Sequence, residues 1–157
     1  MRVRYLGVTL PIVAADTETE NPARPGRVAL VDYLVLDGDG GHPHLVANAC
    51  AGCGALYFDR RNGCARCGGV DFERRALATT GSLRSFTIVH RAAPGVEVPY
   101  VSVVVELDGG GVVKANLLEA GSDPGQIKLG MPVALTTFVC GRDASGTEAV
   151  AFGFTPP

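Results

Sequence analysis

Four cysteines form the most specific chemical pattern in this chain. Two residues separate Cys50 from Cys53 and Cys64 from Cys67, and a glycine follows each pair. A two-residue gap lets one tight turn direct two thiolates at the same ion, and glycine accepts the positive φ that such a turn needs. The pattern predicts a tetrahedral metal site with zinc as its default ion. Because four sulfur ligands leave no open coordination position, we expect the ion to be structural.

Two other interpretations of the cysteines are weaker. Disulfides belong to oxidising compartments and to small chains that lack a core, whereas this chain of 157 residues is 46% hydrophobic and has a fifth cysteine, Cys140. Iron also suits four thiolates, as in a rubredoxin-like electron carrier, and this alternative stays open. Cys140 ends the apolar run 135–139, so we expect a small buried residue and not a nucleophile.

Charge and composition argue against two classes of partner. The chain has 14 basic and 16 acidic residues, a formal net charge of −2, 6% aromatic residues and no tryptophan. A nucleic-acid binder normally presents a basic face and aromatic rings on which bases stack. No apolar stretch of the sequence approaches the roughly 18 residues of a membrane span. Reduced metal thiolates favour the cytoplasm, where we expect the protein to reside.

The sequence divides by composition into three predicted regions. Residues 1–41 form an N-terminal arm of strand and loop, in which apolar runs at 3–13 and 28–36 flank a polar stretch broken by prolines. The arm is equally suited to covering a partner surface and to packing across the ribbon that follows. Residues 42–75 form the metal module, where 56–58 predicts a short strand between the two cysteine pairs.

Residues 76–157 alternate apolar runs with glycine-rich turns. The runs predicted as strands are 81–90, 100–107, 112–118, 132–139 and 148–154. Five short strands, no convincing long helix, and glycines where a sheet must curl predict a small closed barrel of the oligonucleotide/oligosaccharide-binding (OB) type. The predicted fold class is therefore all-β, with a rubredoxin-like zinc ribbon followed by a five-stranded OB-fold barrel and preceded by an extended arm.

The order of these motifs resembles the zinc-ribbon/OB-fold family of acyl-CoA-associated proteins, long described only as a domain of unknown function. After the two Cys-x2-Cys-Gly motifs come the segments 81–83, 86–90, 99–101, 105–108 and 129–133. The resemblance implies a non-catalytic zinc-binding subunit that docks on a thiolase-like enzyme in a hetero-oligomer. It also implies support for binding of a CoA thioester during carbon–carbon bond cleavage or formation, for example thiolysis or retro-aldol cleavage.

The residues themselves suit that role because the sequence lacks a catalytic set. It has no Ser/His/Asp order with a nucleophile turn, no phosphate loop and no open metal position. A protein that contacts CoA benefits from a few placed cations, because CoA carries phosphates. The candidate contacts to CoA or to a partner are Arg60, Arg61, Arg84, Phe86, His90, Arg91, Lys114 and Asn116.

Arg84, Phe86, Ile88 and His90 are spaced to line one face of a strand. That face is either a ligand groove or, as the alternation favours, a core face with solvated charged ends.

Four other candidate contact residues can also be explained without any role in binding. Arg60 and Arg61 form the sharpest local charge pair, suited to a carboxylate or a phosphate, although a solvated loop is the favoured interpretation. Lys114 is typical of a solvated strand residue. Asn116 can bond a pantetheine amide or cap its own backbone. The alternative functions are a nucleic-acid-binding ribbon/barrel protein, which the charge disfavours, and the iron electron carrier.

Overall fold

The computed structural model describes residues 26–36 and 42–157. All its regular elements in these ranges are strands, namely β1 (Arg27–Ala29), β2 (Leu34–Val35), β3 (His44–Cys50), β4 (Leu56–Tyr57), β5 (Phe72–Ala76), β6 (Thr80–Val89), β7 (Tyr100–Leu107), β8 (Val112–Leu117), β9 (Pro132–Arg142) and β10 (Glu148–Thr155). The apolar run predicted at 3–13 lies outside the described residues. Within them, no helix has the length and apolar character to cross a membrane.

The smaller sheet is built around β3. This strand pairs antiparallel with β2, with β4 and with β5. The short strand expected at 56–58 is present as Leu56–Tyr57. β3 ends at Cys50, and β5 begins at Phe72, which pairs with Cys50. The two strands therefore hold together the ends of the segment 50–72, which carries all four cysteines.

The larger sheet closes into a barrel. Its order is β6–β7–β8–β10–β9, and β9 returns to pair with β6. β10 meets β8 in parallel at Phe154 and Leu117 and pairs antiparallel with β9. Five strands closed in this way form the predicted OB-type barrel. All five predicted runs are strands, and the alternation in β7 is confirmed because its inward side chains are buried, namely Val101, Val103, Val105 and Leu107.

One apolar core joins the barrel to the ribbon. Barrel side chains such as Leu83, Val103 and Phe154 cluster with Leu34 of β2 and Leu45 of β3. Each of these five side chains is at most 1% exposed. Burying a side chain of this size contributes about 1.5–3 kcal/mol, so the shared cluster stabilises the ribbon and the barrel together.

The segment 26–36 bridges the two modules. β1 runs parallel to the start of β10, with Arg27 opposite Glu148, while β2 pairs with the ribbon strand β3. Glu148 accepts a hydrogen bond from Arg142 at 2.6 Å, and its other oxygen lies 3.5 Å from Nε of Arg27. The described part of the arm is therefore paired with both modules, and its covering of a partner surface stays a prediction.

Tyr33 lies where the bridging segment, the ribbon and the barrel meet. Its ring centroid is 4.7 Å from that of Phe58 and 6.0 Å from that of Phe152. Burial raises the pKa of the Tyr33 hydroxyl, and the nearby charges of Asp32 and Asp59 raise it further. Aromatic pairs at these separations add about 0.5–1.5 kcal/mol to their area burial.

Cys140 corrects one expectation from the sequence, because it is exposed and not buried. β9 runs on to Arg142 and pairs with β10 through Gly141 and Ala149. Its last four residues are all exposed, so this end of the hairpin lies outside the apolar core. The Cys140 thiol contacts the carbonyl oxygen of Ala149 at 3.3 Å. An apolar run alone does not reveal where a strand leaves the core.

Gly81 provides a test of the barrel packing. It is buried in β6, and a Cβ added there would overlap the Glu106 carbonyl oxygen and lie 3.0 Å from Cα of Leu107. Because both atoms belong to backbone, relief requires the strands to separate. We expect Gly81→Ala to lower the free energy of unfolding by about 1–3 kcal/mol, measured by urea denaturation. The matched control is Gly141→Ala, where the added Cβ meets no heavy atom within 4 Å. Equal stability of the two variants would contradict this packing.

Candidate functional site

Two equivalent turns present the four cysteines. The amide of Gly54 donates to the carbonyl of Cys50 at 2.8 Å, and the amide of Gly68 donates to the carbonyl of Cys64 at 2.8 Å. Gly54 and Gly68 have φ values of 70° and 75°. A side chain is disfavoured at such φ, so each turn needs the glycine that follows its cysteine pair.

The four sulfur atoms converge on one point. All lie within 4.8 Å of one another. Across the two turns, Cys50 and Cys67 are 3.6 Å apart, and Cys53 and Cys64 are 3.5 Å apart. A tetrahedron with Zn–S bonds of about 2.3 Å separates its sulfurs by about 3.8 Å, whereas a disulfide requires about 2.0 Å. The donor set and its spacing therefore fit a structural zinc ion, which these four thiolates would hold with no position left for a substrate.

Tyr57 supports one ligand from the neighbouring strand. Its hydroxyl lies 3.4 Å from Sγ of Cys64 and accepts a hydrogen bond from the amide of Ala65 at 3.1 Å. The amide of Arg66 also donates to Sγ of Cys64, at 3.4 Å. The Tyr57 hydrogen bond is the largest cause that lowers the pKa of Cys64 to about 6; the amides of Arg66 and Cys67 and the Cys53 thiol lower it further, and burial opposes them. The same hydrogen bond raises the pKa of Tyr57. These groups favour the thiolate that a metal requires.

The pKa of Cys67 shifts in the opposite direction. The amide of Gly69 acts to lower it, but hydrogen bonds with the thiols of Cys53, Cys50 and Cys64 outweigh that amide and raise the pKa to about 12. Sulfur atoms this close compete for the same protons. The crowding of four thiols is itself a feature of a metal site, because a bound dication replaces those protons.

A cavity opens on the ribbon beside the metal site. It has a volume of about 350 Å³ and is lined by Asn48, Arg60, Arg61, Asn62, Val70 and Phe72. The guanidinium carbon of Arg61 lies 5.1 Å from the centroid of the Tyr57 ring, and that ring packs edge-on against Phe72 at 6.0 Å. We call this cavity the arginine cavity. A second cavity of about 220 Å³ shares Asn48 and Arg60 with it.

A β-bulge separates two of the barrel candidates. Leu83 pairs with Val105 and Ser85 pairs with Val104, so Arg84 is the unpaired extra residue. The bulge shifts the alternation: Phe86 packs against the core, while Arg84 is exposed. Arg84 and Phe86 therefore do not share the face that their spacing suggested.

The other barrel candidates lie on outward surfaces. Lys114 is opposite Val104, and Asn116 is opposite Ser102, so both face away from the barrel core on β8. His90 and Arg91 follow the end of β6 and are exposed. None of these residues lines the arginine cavity. Their contacts to CoA or to a partner remain predictions.

The sequence alone did not single out Tyr57, Asn48, Asn62 or Phe72. Asn48 reaches the arginine cavity because β3 pairs with both β4 and β5, and Phe72 does so because it opens β5. Tyr57 meets Cys64 only after the turn between them folds back. The one available signal was the aromatic residue of a short strand placed between two cysteine pairs.

The fold and the metal cluster together define a zinc-ribbon/OB-fold protein. Residues 39–73 match the family model described as ChsH2, rubredoxin-like zinc ribbon domain, and residues 74–138 match ChsH2, C-terminal OB-fold domain. A chain of the solved structure described as the Ltp2-ChsH2(DUF35) aldolase is 32% identical, with a TM-score of 0.57, over 72% of this chain and 84% of that one. A comparison with curated proteins gave no match. The chain belongs to the ChsH2 zinc-ribbon/OB-fold family, as its motif order predicted.

Tyr57→Phe tests the support given to the metal site. The variant keeps the ring that contacts Phe72 and Arg61 but removes the hydroxyl at Cys64. Loss of an outer-shell hydrogen bond typically lowers metal affinity about 10–100-fold, so we expect weaker zinc binding in competition with a chromophoric chelator. Tyr100→Phe, in β7, is the control. Unchanged affinity in Tyr57→Phe would show that the hydroxyl does not support the ligand.

Cys64→Ser tests whether the ion holds the whole chain together. We expect loss of bound zinc and a lower melting temperature, because structural zinc contributes about 10 kcal/mol or more in isolated fingers. Since Leu45 and Ala47 of β3 belong to the common core, reporters in the barrel should shift as well. Zinc content and thermal unfolding are measured against Cys140→Ser, which changes a cysteine outside the cluster. Retained zinc and an unshifted transition in Cys64→Ser would contradict this role.

Proposed function

We propose that this chain is the accessory subunit of a hetero-oligomeric enzyme. In the proposal it docks on a thiolase-like partner and supports the binding of an acyl-CoA during carbon–carbon bond cleavage or formation. The observation that carries the proposal is the 32% identity to a chain of the Ltp2-ChsH2(DUF35) aldolase, of which the alignment covers 84%. That relative is described as an aldolase of two named components, so the proposal gives this chain a partner enzyme of the same kind.

The metal site supports a role without chemistry of its own. Its four ligands are all cysteine sulfurs, so the ion has no position at which to polarise a carbonyl or activate a water. In the described residues, these cysteines are the one cluster of His, Cys, Asp and Glu side chains suited to a metal. In the proposal, the reacting groups of the complex belong to the partner.

The rigidity of the fold supports the second part of the proposal. A subunit that helps to bind substrate must hold its contacts in one geometry, because preorganised groups lose less entropy on binding. Here the ribbon is fixed to the barrel by the common core and by the bridging segment 26–36. Contacts on both modules can thus act on one ligand or one partner without a hinge between them.

Co-expression tests the proposal directly. We expect the chain to co-purify with a thiolase-like protein encoded beside it and to give a stable peak in size-exclusion chromatography. Cleavage or condensation of an acyl-CoA should require the complex and be absent from the isolated chain. The control is a thiolase encoded elsewhere in the same genome, which should not co-purify. Turnover by the isolated chain, or no complex with any thiolase-like neighbour, would overturn the proposal.

A further inference from the structure

We infer that the arginine cavity of the ribbon binds the phosphate-bearing nucleotide end of a ligand. Within the proposed function, on which the identity of the ligand rests, this is the adenosine phosphate end of CoA. The chemistry shared by all suitable ligands is a phosphate monoester beside an adenine-sized ring. The site lies on the ribbon and not on the barrel, where the other candidate contacts are placed.

The first argument is charge. Arg60 and Arg61 both line the cavity, and none of the six lining residues is acidic. Among the described residues, the ion pairs are those of Glu148 with Arg27 and Arg142, so neither cavity arginine forms an ion pair there. One guanidinium can satisfy a carboxylate with two parallel hydrogen bonds, whereas two adjacent guanidiniums match the double charge of a phosphate monoester.

The second argument is preorganisation. The guanidinium of Arg61 stacks over Tyr57, whose hydroxyl bonds both Cys64 and the amide of Ala65. The loop that carries the arginines is therefore held at one end by β4 and at the other by a metal ligand. A cation held in place before the ligand arrives contributes more affinity than a freely rotating one.

The third argument is the size and lining of the cavity. Its volume of about 350 Å³ leaves room for more than a phosphate group. Val70, which is 68% exposed, and Phe72 give it an apolar wall on which an adenine can lie.

A polar group completes this lining. The Asn48 amide lines the cavity and donates to the carbonyls of Phe58 at 3.4 Å and Asp59 at 3.3 Å, which ties this polar side chain to the loop that carries the arginines. Cations, an apolar wall and an amide side chain together suit a nucleotide better than a simple anion.

Binding to the zinc-loaded chain tests the inference. Calorimetry and NMR titrations would use CoA, adenosine 3′,5′-bisphosphate, dephospho-CoA and inorganic phosphate as probes. We expect CoA and the bisphosphate to bind with similar affinity, with shifts centred on the cavity, and the other two probes to bind more weakly. In Arg60→Gln/Arg61→Gln, binding should fall about tenfold or more, since a hydrogen bond to a charged group is worth about 1.5–3 kcal/mol. The control, Lys128→Gln, removes an exposed cation of the barrel.

The outcomes separate this inference from the proposed function. The double variant should still co-purify with the thiolase-like partner, while its complex should require more acyl-CoA for half-maximal rate. No binding of CoA to the wild-type chain, equal binding of inorganic phosphate and CoA, or unchanged binding in the double variant would each overturn the nucleotide site. Loss of the complex with CoA binding intact would also overturn it and would assign the arginines to an acidic segment of the partner. If the wild-type chain formed no complex, the proposed function would fail, and the titrations would still decide whether the nucleotide site exists.

Discussion

The convergence of four sulfur atoms is the constraint on which the ribbon depends. β2 and β4 are two residues each, so the module has few backbone hydrogen bonds with which to hold its own shape. Modules of this size usually need a cross-link, such as a bound metal ion, in addition to their apolar contacts. Four thiolates around one ion supply this cross-link. Because they fill every coordination position, the ion is bound firmly and cannot bind a substrate. An ion held in this way contributes geometry and not reactivity.

Placement is what the metal site provides beyond stability. The chain leaves β4 at Tyr57 and returns to the ion at Cys64, so the loop between them is anchored at both ends. Tyr57 links the metal site to the arginine cavity, because its hydroxyl contacts the ligand Cys64 while its ring packs against Arg61. In an unanchored loop, adjacent arginines would spread into solvent and would lose side-chain entropy on binding an anion. The metal site therefore holds the charged loop between Tyr57 and Cys64 in one conformation.

The sequence predicted the elements better than it predicted their long-range relations. The cysteine spacing and its glycines were sufficient for the metal site, since a knuckle is a local structure. The five barrel strands followed from alternation, also a local signal. The bulge at Arg84 could not be read in this way, because one inserted residue exchanges the faces of everything after it. The parallel pairing of β1 with β10 joins residues more than a hundred positions apart in sequence, and no periodicity reports such a contact. The prediction that Cys140 is buried was wrong for a similar reason, since the burial of a strand residue depends on where the strand leaves the barrel core.

These long-range relations are also what makes the two modules act as one body. Had the ribbon and barrel been joined only through the chain between β5 and β6, their relative position would be free, as is usual for small domains. Instead, Leu34 and Leu45 are buried in the same cluster as Leu83 and Phe154. β1 extends the barrel sheet from the same short segment that, through β2, extends the ribbon sheet. A substrate or partner that touches both modules therefore meets a surface whose geometry is set before binding, and the entropic cost of ordering it has already been met by folding. For a subunit whose metal takes no part in chemistry, that fixed geometry is the property through which it can act.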